Sequence, residues 1–310
     1  MNVFSHSKIN SILILFIIVL TFLSCDNKQT SLDLSMYEYR DTKKLVKFAY
    51  DAAQLIKEKG LKGIDILKQN RKKYSRENLY LYVYKLNGKN LFHGGVKEFE
   101  GSNLSEIMDL GGKKVHKLAL KALNNEHNPH GWVHYNWWKP ERFYPVPKSS
   151  CHFKVTTQEG VELYVGAGMD YPHEEKEFIK ILVKTAIDLI KEKGESAFPE
   201  LRDPTSQFIY REVKIFVIDN NGKNIISPVI NNSPIEINIL NSKDAAGHKP
   251  FQRALKILQN KDFTWEVFLA KSRSKRILQK KTLYLRKLQL NKRIIYVGAI
   301  TDMPEPAWTS

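Results

Sequence analysis

The sequence predicts an α+β fold of two modules, each a mostly antiparallel sheet with a long N-terminal helix. The main observation is an internal repeat: residues 55–60 (Leu-Ile-Lys-Glu-Lys-Gly) recur identically at residues 189–194, a shift of 134 positions. Residues 87–90 (Asn-Gly-Lys-Asn) recur at residues 221–224 with the same shift. Two identities at one shift indicate an internal duplication.

An amphipathic helix is predicted at the start of each copy. In the first copy, apolar residues follow helical spacing from Thr42 to the glycine stop at Gly60, at Leu45, Phe48, Ala49, Ala52 and Ile56. In the second, residues 174–194 carry the same kind of stripe, at Phe178, Leu182, Val183, Ala186, Ile187 and Ile190. A long helix on one face of an antiparallel sheet is an α+β arrangement.

Strand alternation follows each helix at the same shift. Leu79, Leu81 and Val83 alternate with Tyr80, Tyr82 and Tyr84, and the second copy has Val213, Ile215 and Val217 alternating with Lys214, Phe216 and Ile218. An Asn-Gly pair after each run predicts a hairpin turn. One face is aliphatic in both copies and is expected to pack on a helix. The other face is rich in tyrosine only in the first copy, which indicates a pocket wall there.

The duplication divides the chain into five segments. We predict a lipoprotein signal peptide over residues 1–25, a polar tether over 26–41, a first module over 42–172, a second over 173–303 and a C-terminal tail over 304–310. Each module is expected to run helix, strand, hairpin strand, short helix and three further strands.

The N-terminal segment has the pattern of an export signal. Lys8 precedes an apolar run over residues 9–23, which is short for a transmembrane span. The sequence Phe22-Leu23-Ser24-Cys25 resembles a bacterial lipobox, with Phe22 and Leu23 departing from its usual residues. Cys25 is therefore predicted to be the lipidated first residue of a mature, envelope-located protein, and an uncleaved anchor is the alternative. Lipidation would leave Cys151 without a disulfide partner.

The net charge of +16 favours anionic partners without choosing among them. Residues 267–301 contain ten basic residues and no acidic one. Such a run is commonly a solvated face, but on a tethered protein it could contact anionic lipid or dock a partner protein. Nucleic acid is not expected as a partner, because the compartment is wrong and no recognised nucleic-acid motif is present.

The stretch from Gly131 to Phe153 holds three of the five tryptophans and an isolated lysine, Lys148. Aromatic strands are usually packing, but indoles can also stack on a flat or cationic ligand, and a buried ammonium needs an anion. Period-two geometry places Val133, Tyr135 and Trp137 on one face and Trp132, His134 and Trp138 on the other. Only one set can line a pocket, and the sequence leaves open which.

No catalytic or metal-binding motif stands out. A serine nucleophile elbow, a phosphate loop and a metalloprotease helix are all missing from the sequence. Cys151 and His152 are neighbours on a strand and face opposite ways, so they cannot pair with each other. His127, His130, His134 and His152 could cluster around zinc or copper, but no supporting ligand pattern accompanies them. We predict no enzyme activity, no cofactor and no metal.

The first copy resembles the Cache family, extracytoplasmic ligand-sensing domains with a PAS-like sheet, here in tandem. The resemblance covers residues 42–302 and rests on the helix ending at Lys59-Gly60, residues 82–84 before Asn87-Gly88, Phe92-His93, residues 101–103, Asp109 with Gly112-Lys113, residues 131–137 with Pro140, residues 147–150 and residues 165–168. It implies binding of small carboxylates, amino acids or amines. The ligand-binding residues inferred from it are Tyr82, His93, Trp132, Tyr135, Trp137, Lys148 and Cys151.

Each copy departs from the family pattern, and the larger departures, in the second copy, favour the first as the binding one. Cys151 stands where the family usually has tyrosine, whereas the second copy keeps Tyr284. The second copy has Ser227 in place of His93 and lacks the tryptophan-rich run. We therefore predict an exported lipoprotein that binds a small organic ligand in its first module and signals, if at all, through a partner protein. The alternative is an envelope interaction or structural module with a degenerate pocket.

Overall fold

The computed structural model describes residues 32–76, 79–137, 144–230, 233–234, 238–271 and 278–303. The predicted signal peptide with its lipidation site at Cys25, the predicted tether up to residue 31 and the predicted tail at 304–310 lie outside the described residues. Within the described part, no helix has the length and apolar character that a bilayer span requires.

The first module is a six-stranded antiparallel sheet with helices on both faces. Helices α1 (Arg40–Lys59) and α2 (Leu61–Gln69) precede the sheet, and α3 (Val115–Leu123) is inserted between its strands. The strands are β1 (Ser75–Arg76), β2 (Leu79–Lys85), β3 (Asn90–His93), β4 (Val133–Trp137), β5 (Val146–Thr156) and β6 (Glu162–Asp170). Their order is β1-β2-β6-β5-β4, with β3 paired to β2.

The second module repeats this arrangement. Helices α4 (Lys176–Lys193) and α5 (Phe198–Arg202) precede its sheet, and α6 (Pro250–Ile257) occupies the place of α3. Two short strands, β10 (Val229–Ile230) and β11 (Ser233–Pro234), form a separate two-stranded sheet. The sheet contains β7 (Ile209–Tyr210), β8 (Val213–Asp219), β9 (Asn224–Ile226), β12 (Phe263–Lys271), β13 (Leu278–Leu290) and β14 (Arg293–Asp302). Its order is β12-β13-β14-β8-β7, with β9 paired to β8.

The long helices form for the same reason in both modules. Helix α1 buries one stripe against β5 and β6, and α4 buries its stripe against β8, β13 and β14. Each ends at a glycine, Gly60 with φ 60° and Gly194 with φ 61°. This left-handed backbone is strained for a residue with a Cβ, so glycine stops the helix. The predicted α+β architecture of two antiparallel sheets, each preceded by a long helix, is confirmed.

The segment between the sheets joins them through polar and aromatic contacts. The Glu175 carboxylate accepts hydrogen bonds from the backbone N–H groups of Glu38 (2.8 Å) and Tyr39 (3.0 Å). Phe178, in the first turn of α4, lies with its ring centroid 4.7 Å from those of both Trp132 and His134. The start of the second module therefore covers one face of β4 in the first, and both sheets belong to one compact unit.

Candidate functional site

A pocket lies between helix α3 and the sheet of the first module. Rings and hydroxyl groups make up most of its wall. The lining residues are Tyr80, Tyr82, Tyr84, His93, Ile107, Val115, His116, Ala119, Tyr135, Trp137, His152 and Tyr164. Four of the seven residues predicted from the sequence are among them, namely Tyr82, His93, Tyr135 and Trp137.

The β4 pairing decides which aromatic set reaches this pocket. Val133 and Tyr135 lie opposite Ser150 and Lys148 of β5, and residues opposite each other in an antiparallel pair share a face. That face points to α3, so Tyr135 and Trp137 line the pocket. Trp132 points to the other side, where its indole Nε1–H donates to the Tyr37 hydroxyl at 2.7 Å.

Two tyrosine hydroxyls are oriented by neutral histidines. His152 Nδ1 donates to the Gly131 carbonyl (2.6 Å), so its Nε2 accepts from the Tyr82 hydroxyl (2.9 Å). Burial lowers the pKa of His152 to about 4, which keeps the ring neutral. His116 Nε2 donates to the Leu86 carbonyl (3.1 Å), so Nδ1 accepts from the Tyr164 hydroxyl (2.9 Å). Both tyrosines therefore direct their protons at histidines, and their oxygens can still accept.

His93 is fixed as a neutral donor at the end of β3. The backbone N–H of Val96 donates to its Nδ1 at 2.8 Å, which makes Nε2 the protonated nitrogen. Burial, assisted by the positive charges of Lys148 and Arg71, lowers the pKa of His93 to about 3. The pocket therefore contains an N–H donor that stays neutral over the physiological pH range.

Lys148 lies beside the pocket and already has an anion. Its Nζ is 2.6 Å from Asp170 Oδ1, and both residues are buried. The ammonium also lies 4.2 Å from the centroid of the Tyr80 ring. Gly168 makes room for this side chain, because a Cβ there would lie 2.8 Å from Lys148 Cε. From the sequence we expected a ligand to supply the anion for Lys148. Asp170, the last residue of β6, supplies it instead.

Ser150 provides a polar atom that no neighbour satisfies. It lies on β5 between Lys148 and His152 on the pocket side, and its buried Oγ lies near the Tyr82 and Tyr135 hydroxyls without a hydrogen bond of ordinary geometry to any described residue. Buried hydroxyls usually bond to protein or to ordered water, so this oxygen is a point of attachment for a water or a ligand atom.

Trp132 and Cys151, also predicted from the sequence, lie on the opposite face of the sheet. The Trp132 ring packs at 4.7 Å against Phe178 of α4. The thiol of Cys151 is fully buried against α1, where Sγ lies 3.8 Å from the Leu45 carbonyl, and burial raises its pKa. Both side chains contact helices and do not line the pocket. Their predicted role in ligand binding stays a prediction.

The pocket is narrow. Its cavity volume is about 30 Å³, room for about one water molecule. Pockets for organic ligands are typically ten times larger or more. A ligand of several heavy atoms therefore enters only if ring side chains such as Tyr135 and Trp137 rotate outward.

The four histidines considered for a metal do not share one. His130 bonds the Tyr37 hydroxyl (2.6 Å), His134 bonds Ser149 Oγ (2.7 Å) and His152 bonds Tyr82. His127 instead faces Asp188 at 2.7 Å, with Glu126 close by. Among the described residues this last trio is the set whose ligand atoms converge, and acidic groups at a surface commonly do so without a metal.

The sequence did not predict five pocket-lining residues that carry a hydroxyl or imidazole group. They are Tyr80, Tyr84, His116, His152 and Tyr164. The alternation in β2 carried the signal for Tyr80 and Tyr84, which share a face with Tyr82. His116 and Tyr164 carried none, because their position depends on how α3 and β6 cross.

The equivalent space in the second module is filled. Register pairs place Phe216 where Tyr82 lies, Phe268 where Tyr135 lies and Leu285 where His152 lies. These belong to an apolar core that also contains Phe251, at the place of His116, and Ile218, at the place of Tyr84. The polar pocket is thus replaced by apolar side chains.

A helix-backed antiparallel sheet enclosing a small polar and aromatic pocket defines a ligand-sensing module of PAS-like architecture. The sequence model of the Cache domain matches residues 27–302, and the chain therefore belongs to the Cache family. Cache domains are extracytoplasmic sensor modules, generally non-catalytic, that bind small ligands such as carboxylates and amino acids.

Solved structures give likenesses of low identity. A Cache chemosensory domain described for carboxylic acid recognition is 21% identical with a TM-score of 0.33, covering 43% of this chain and 94% of its own. A methyl-accepting chemotaxis protein from Vibrio parahaemolyticus is 19% identical with a TM-score of 0.34, covering 42% and 88%. The Pseudomonas aeruginosa amino acid chemoreceptor PctB with L-Arg is 8% identical with a TM-score of 0.30, covering 84% and 87%. A search of curated proteins finds no significant match.

Proposed function

We propose that this chain is an exported, lipid-anchored protein that binds a small organic ligand, a carboxylate, amino acid or amine, in its first module without catalysing a reaction. The observation that carries the proposal is the difference between the two modules. One sheet surrounds a space with hydroxyl and imidazole groups, and the same positions of the other sheet are apolar and packed. Burying polar groups costs free energy unless they form hydrogen bonds, so a set of them around a pocket in the first module favours ligand binding there.

The donors and acceptors around the pocket suit a ligand with a carboxylate or hydroxyl group. His93 Nε2–H and the Ser150 hydroxyl can donate, and the Tyr82 and Tyr164 oxygens can accept. Lys148 adds positive potential from behind Tyr80, although Asp170 neutralises most of it. An amino acid zwitterion or a ligand with a single carboxylate fits this balance better than a ligand with several negative charges.

The wider architecture of the proposal is a duplicated sensor. The tandem modules over 42–172 and 173–303 are supported by the shared strand order and by the repeat of 134 residues. Lipidation of Cys25, an extracytoplasmic location on a membrane and a signalling partner protein belong to the proposal and rest on the sequence of residues 1–25.

A thermal-shift screen of carboxylates, amino acids and amines tests the binding. A ligand at one hundred times its Kd stabilises the folded state by about 2.7 kcal/mol, which raises the melting temperature measurably. We expect Tyr135→Phe and His152→Leu to weaken the response to a hit. Tyr296→Phe, at the position of Tyr164 in the filled module, is the matched control and should leave the response unchanged. A compound that stabilises both pocket variants as much as the unmodified protein would place the binding site elsewhere.

The second candidate is a structural or interaction module of the envelope with a degenerate pocket. The observation in its favour is the cavity volume of only about 30 Å³. Absence of any stabilising compound in the screen, with both modules folded, would favour this candidate.

A further inference from the structure

An apolar stripe lies exposed at the edge of the second sheet. Phe263 and Val267 of β12 are 47% and 46% exposed. Trp265, which lies between them, and Leu269, which follows Val267, are partly buried. The four alternate along the strand and share one face. Trp265 stacks on Tyr284 at 4.4 Å between centroids, which fixes that face as the α4 side of the sheet. We call these four residues the β12 stripe.

The same face of the first sheet is covered. There, Trp132 and His134 take the places of Trp265 and Val267. They pack against Phe178, and His134 also lies 4.0 Å from the Tyr210 ring. Phe178 and Tyr210 both come from the second module. The β12 stripe is therefore equivalent to the surface of the first module that the second module covers. In the second module this surface is open, with nearly half of Phe263 and Val267 exposed.

The charged residues on the β13 side of the stripe are basic. Lys280 lies opposite Leu269, and Arg286 lies opposite Phe263 with its guanidinium carbon 5.5 Å from the ring centroid. Lys261 is exposed at the start of an open hollow of about 390 Å³, which is lined by Lys261, Asp262, Phe263, Thr264 and Trp265. Asp262 is the acidic residue there. A second copy would set basic groups against basic groups, whereas an anionic surface complements them.

The N-terminal segment reaches the same place. Glu38 is bound to Glu175 through its backbone and to Lys176 at 3.1 Å through its carboxylate. Lys176 lines a crevice together with Trp265 and three acidic residues. The three carboxylates are already bound within the protein: Glu174 to Arg211, Glu175 to the backbone N–H groups of Glu38 and Tyr39, and Asp302 to Lys281. Glu38 lies thirteen residues after Cys25, a length that spans at most about 45 Å when extended. A lipid on Cys25 would therefore hold the β12 stripe within reach of the bilayer.

We propose that the β12 stripe, with Lys280 and Arg286, docks onto the anionic lipid headgroups of the membrane that holds the anchor. Aromatic and aliphatic side chains flanked by basic ones are the composition of a surface that lies at a membrane interface. The inference rests on the proposed lipid anchor. It orients the protein with the edge of the second sheet on the bilayer.

Site-specific fluorescence on the full chain tests the orientation. The Val267→Cys protein is labelled with an environment-sensitive dye and held by its own anchor in phosphatidylcholine vesicles with or without phosphatidylglycerol. Cys151 is fully buried and does not label. We expect blue-shifted emission from position 267 only with phosphatidylglycerol, and loss of the shift when Lys280→Glu and Arg286→Glu are added. Met108→Cys, at an exposed residue of the first module (56%), is the matched control and should not shift.

The outcomes separate docking from anchoring. Equal emission from position 267 in both vesicles, with the protein still sedimenting with them, overturns docking and leaves the anchor intact. A shift that follows protein density in phosphatidylcholine alone identifies a second copy as the occupant and also overturns it. Dye attached at Cys25, or protein that stays in the supernatant, overturns the anchor and with it the premise of docking.

Discussion

The two modules place different side chains on the same frame. Their sheets have the same strand order, and the pairs Lys148–Asp170 and Lys281–Asp302 occupy equivalent register positions, each with Nζ to Oδ1 at 2.6 Å. In the first module both partners are buried. In the second, 53% of the Asp302 side chain is exposed. An ion pair common to the two modules therefore accompanies a pocket in one and a filled core in the other.

This difference shows that the frame does not depend on the pocket. Tyr82, Tyr135 and His152 can be exchanged for Phe216, Phe268 and Leu285 with the strands still paired in the same order. The same strand order therefore forms without polar residues at these positions, which supports the proposal that the first module uses them for binding. The following predictions test this contrast, beginning with the largest effect.

Acidification should destabilise the first module far more than the second. Burial holds the pKa of His93 and His134 at about 3 and that of His152 at about 4, against an ordinary value of 6.5. Between those values the unfolded chain binds more protons, so stability is lost as the pH falls below about 6.5. From pH 7 to pH 5 each of the three histidines costs about 2 kcal/mol, which is on the order of 6 kcal/mol together.

Hydrogen exchange followed by peptide mass spectrometry measures this module by module. After correction for intrinsic rates, we expect protection to fall in β4 and β5 at pH 5 and to persist in β12 and β13. His248, an exposed histidine of the second module, provides the control variant His248→Gln, which should not alter the profile. An equal loss of protection in both sheets would contradict the prediction that the buried histidines make the first module the more acid-sensitive one.

Breaking the shared ion pair should cost more in the first module. Asp170→Ala leaves the buried Lys148 ammonium without a partner, for which we expect a loss of about 3 to 5 kcal/mol in the free energy of unfolding. Asp302→Ala also leaves a buried ammonium, that of Lys281, but the lost partner is half exposed to water and the Glu174 carboxylate remains nearby. The loss should therefore be smaller, about 1 to 2 kcal/mol. Urea unfolding of both variants measures the two losses. Similar losses would mean that Asp302 is shielded from water in solution.

The sequence was sufficient for the frame but not for the site, and the residues show why. Local patterns, such as the alternation in β2 and the glycine stops at Gly60 and Gly194, depend on neighbours in the chain and predicted the elements correctly. The choice between Trp132 and Tyr135 depends on where α3 and α4 pack, which no local pattern contains. Asp170 lies 22 residues from Lys148, and only its recurrence as Asp302 near Lys281 could have indicated the pair.

A hydroxyl group should be tolerated in the pocket and not in the filled core. Phe268→Tyr places an oxygen at the position of Tyr135 within apolar neighbours, where we expect a cost of about 1 to 3 kcal/mol because no partner is near. The reverse change, Tyr135→Phe, should cost less than about 1 kcal/mol. Thermal unfolding of the two variants measures the asymmetry, and its reversal would show that the Tyr135 hydroxyl is structural.

The smallest effect on stability is expected at Ser150. Its buried Oγ has no partner among the described residues, so Ser150→Ala removes an unsatisfied polar atom and should be neutral or stabilising by up to about 1 kcal/mol. If the hydroxyl instead serves a ligand, the same variant should weaken the thermal response to any hit while the protein without ligand is as stable as before. Thr282→Ala, which changes a buried hydroxyl of the second module, is the matched control and should leave the ligand response unchanged. A loss of stability without ligand would show that an ordered water or the nearby Tyr82 and Tyr135 hydroxyls satisfy Ser150, and would assign the hydroxyl to folding instead of recognition.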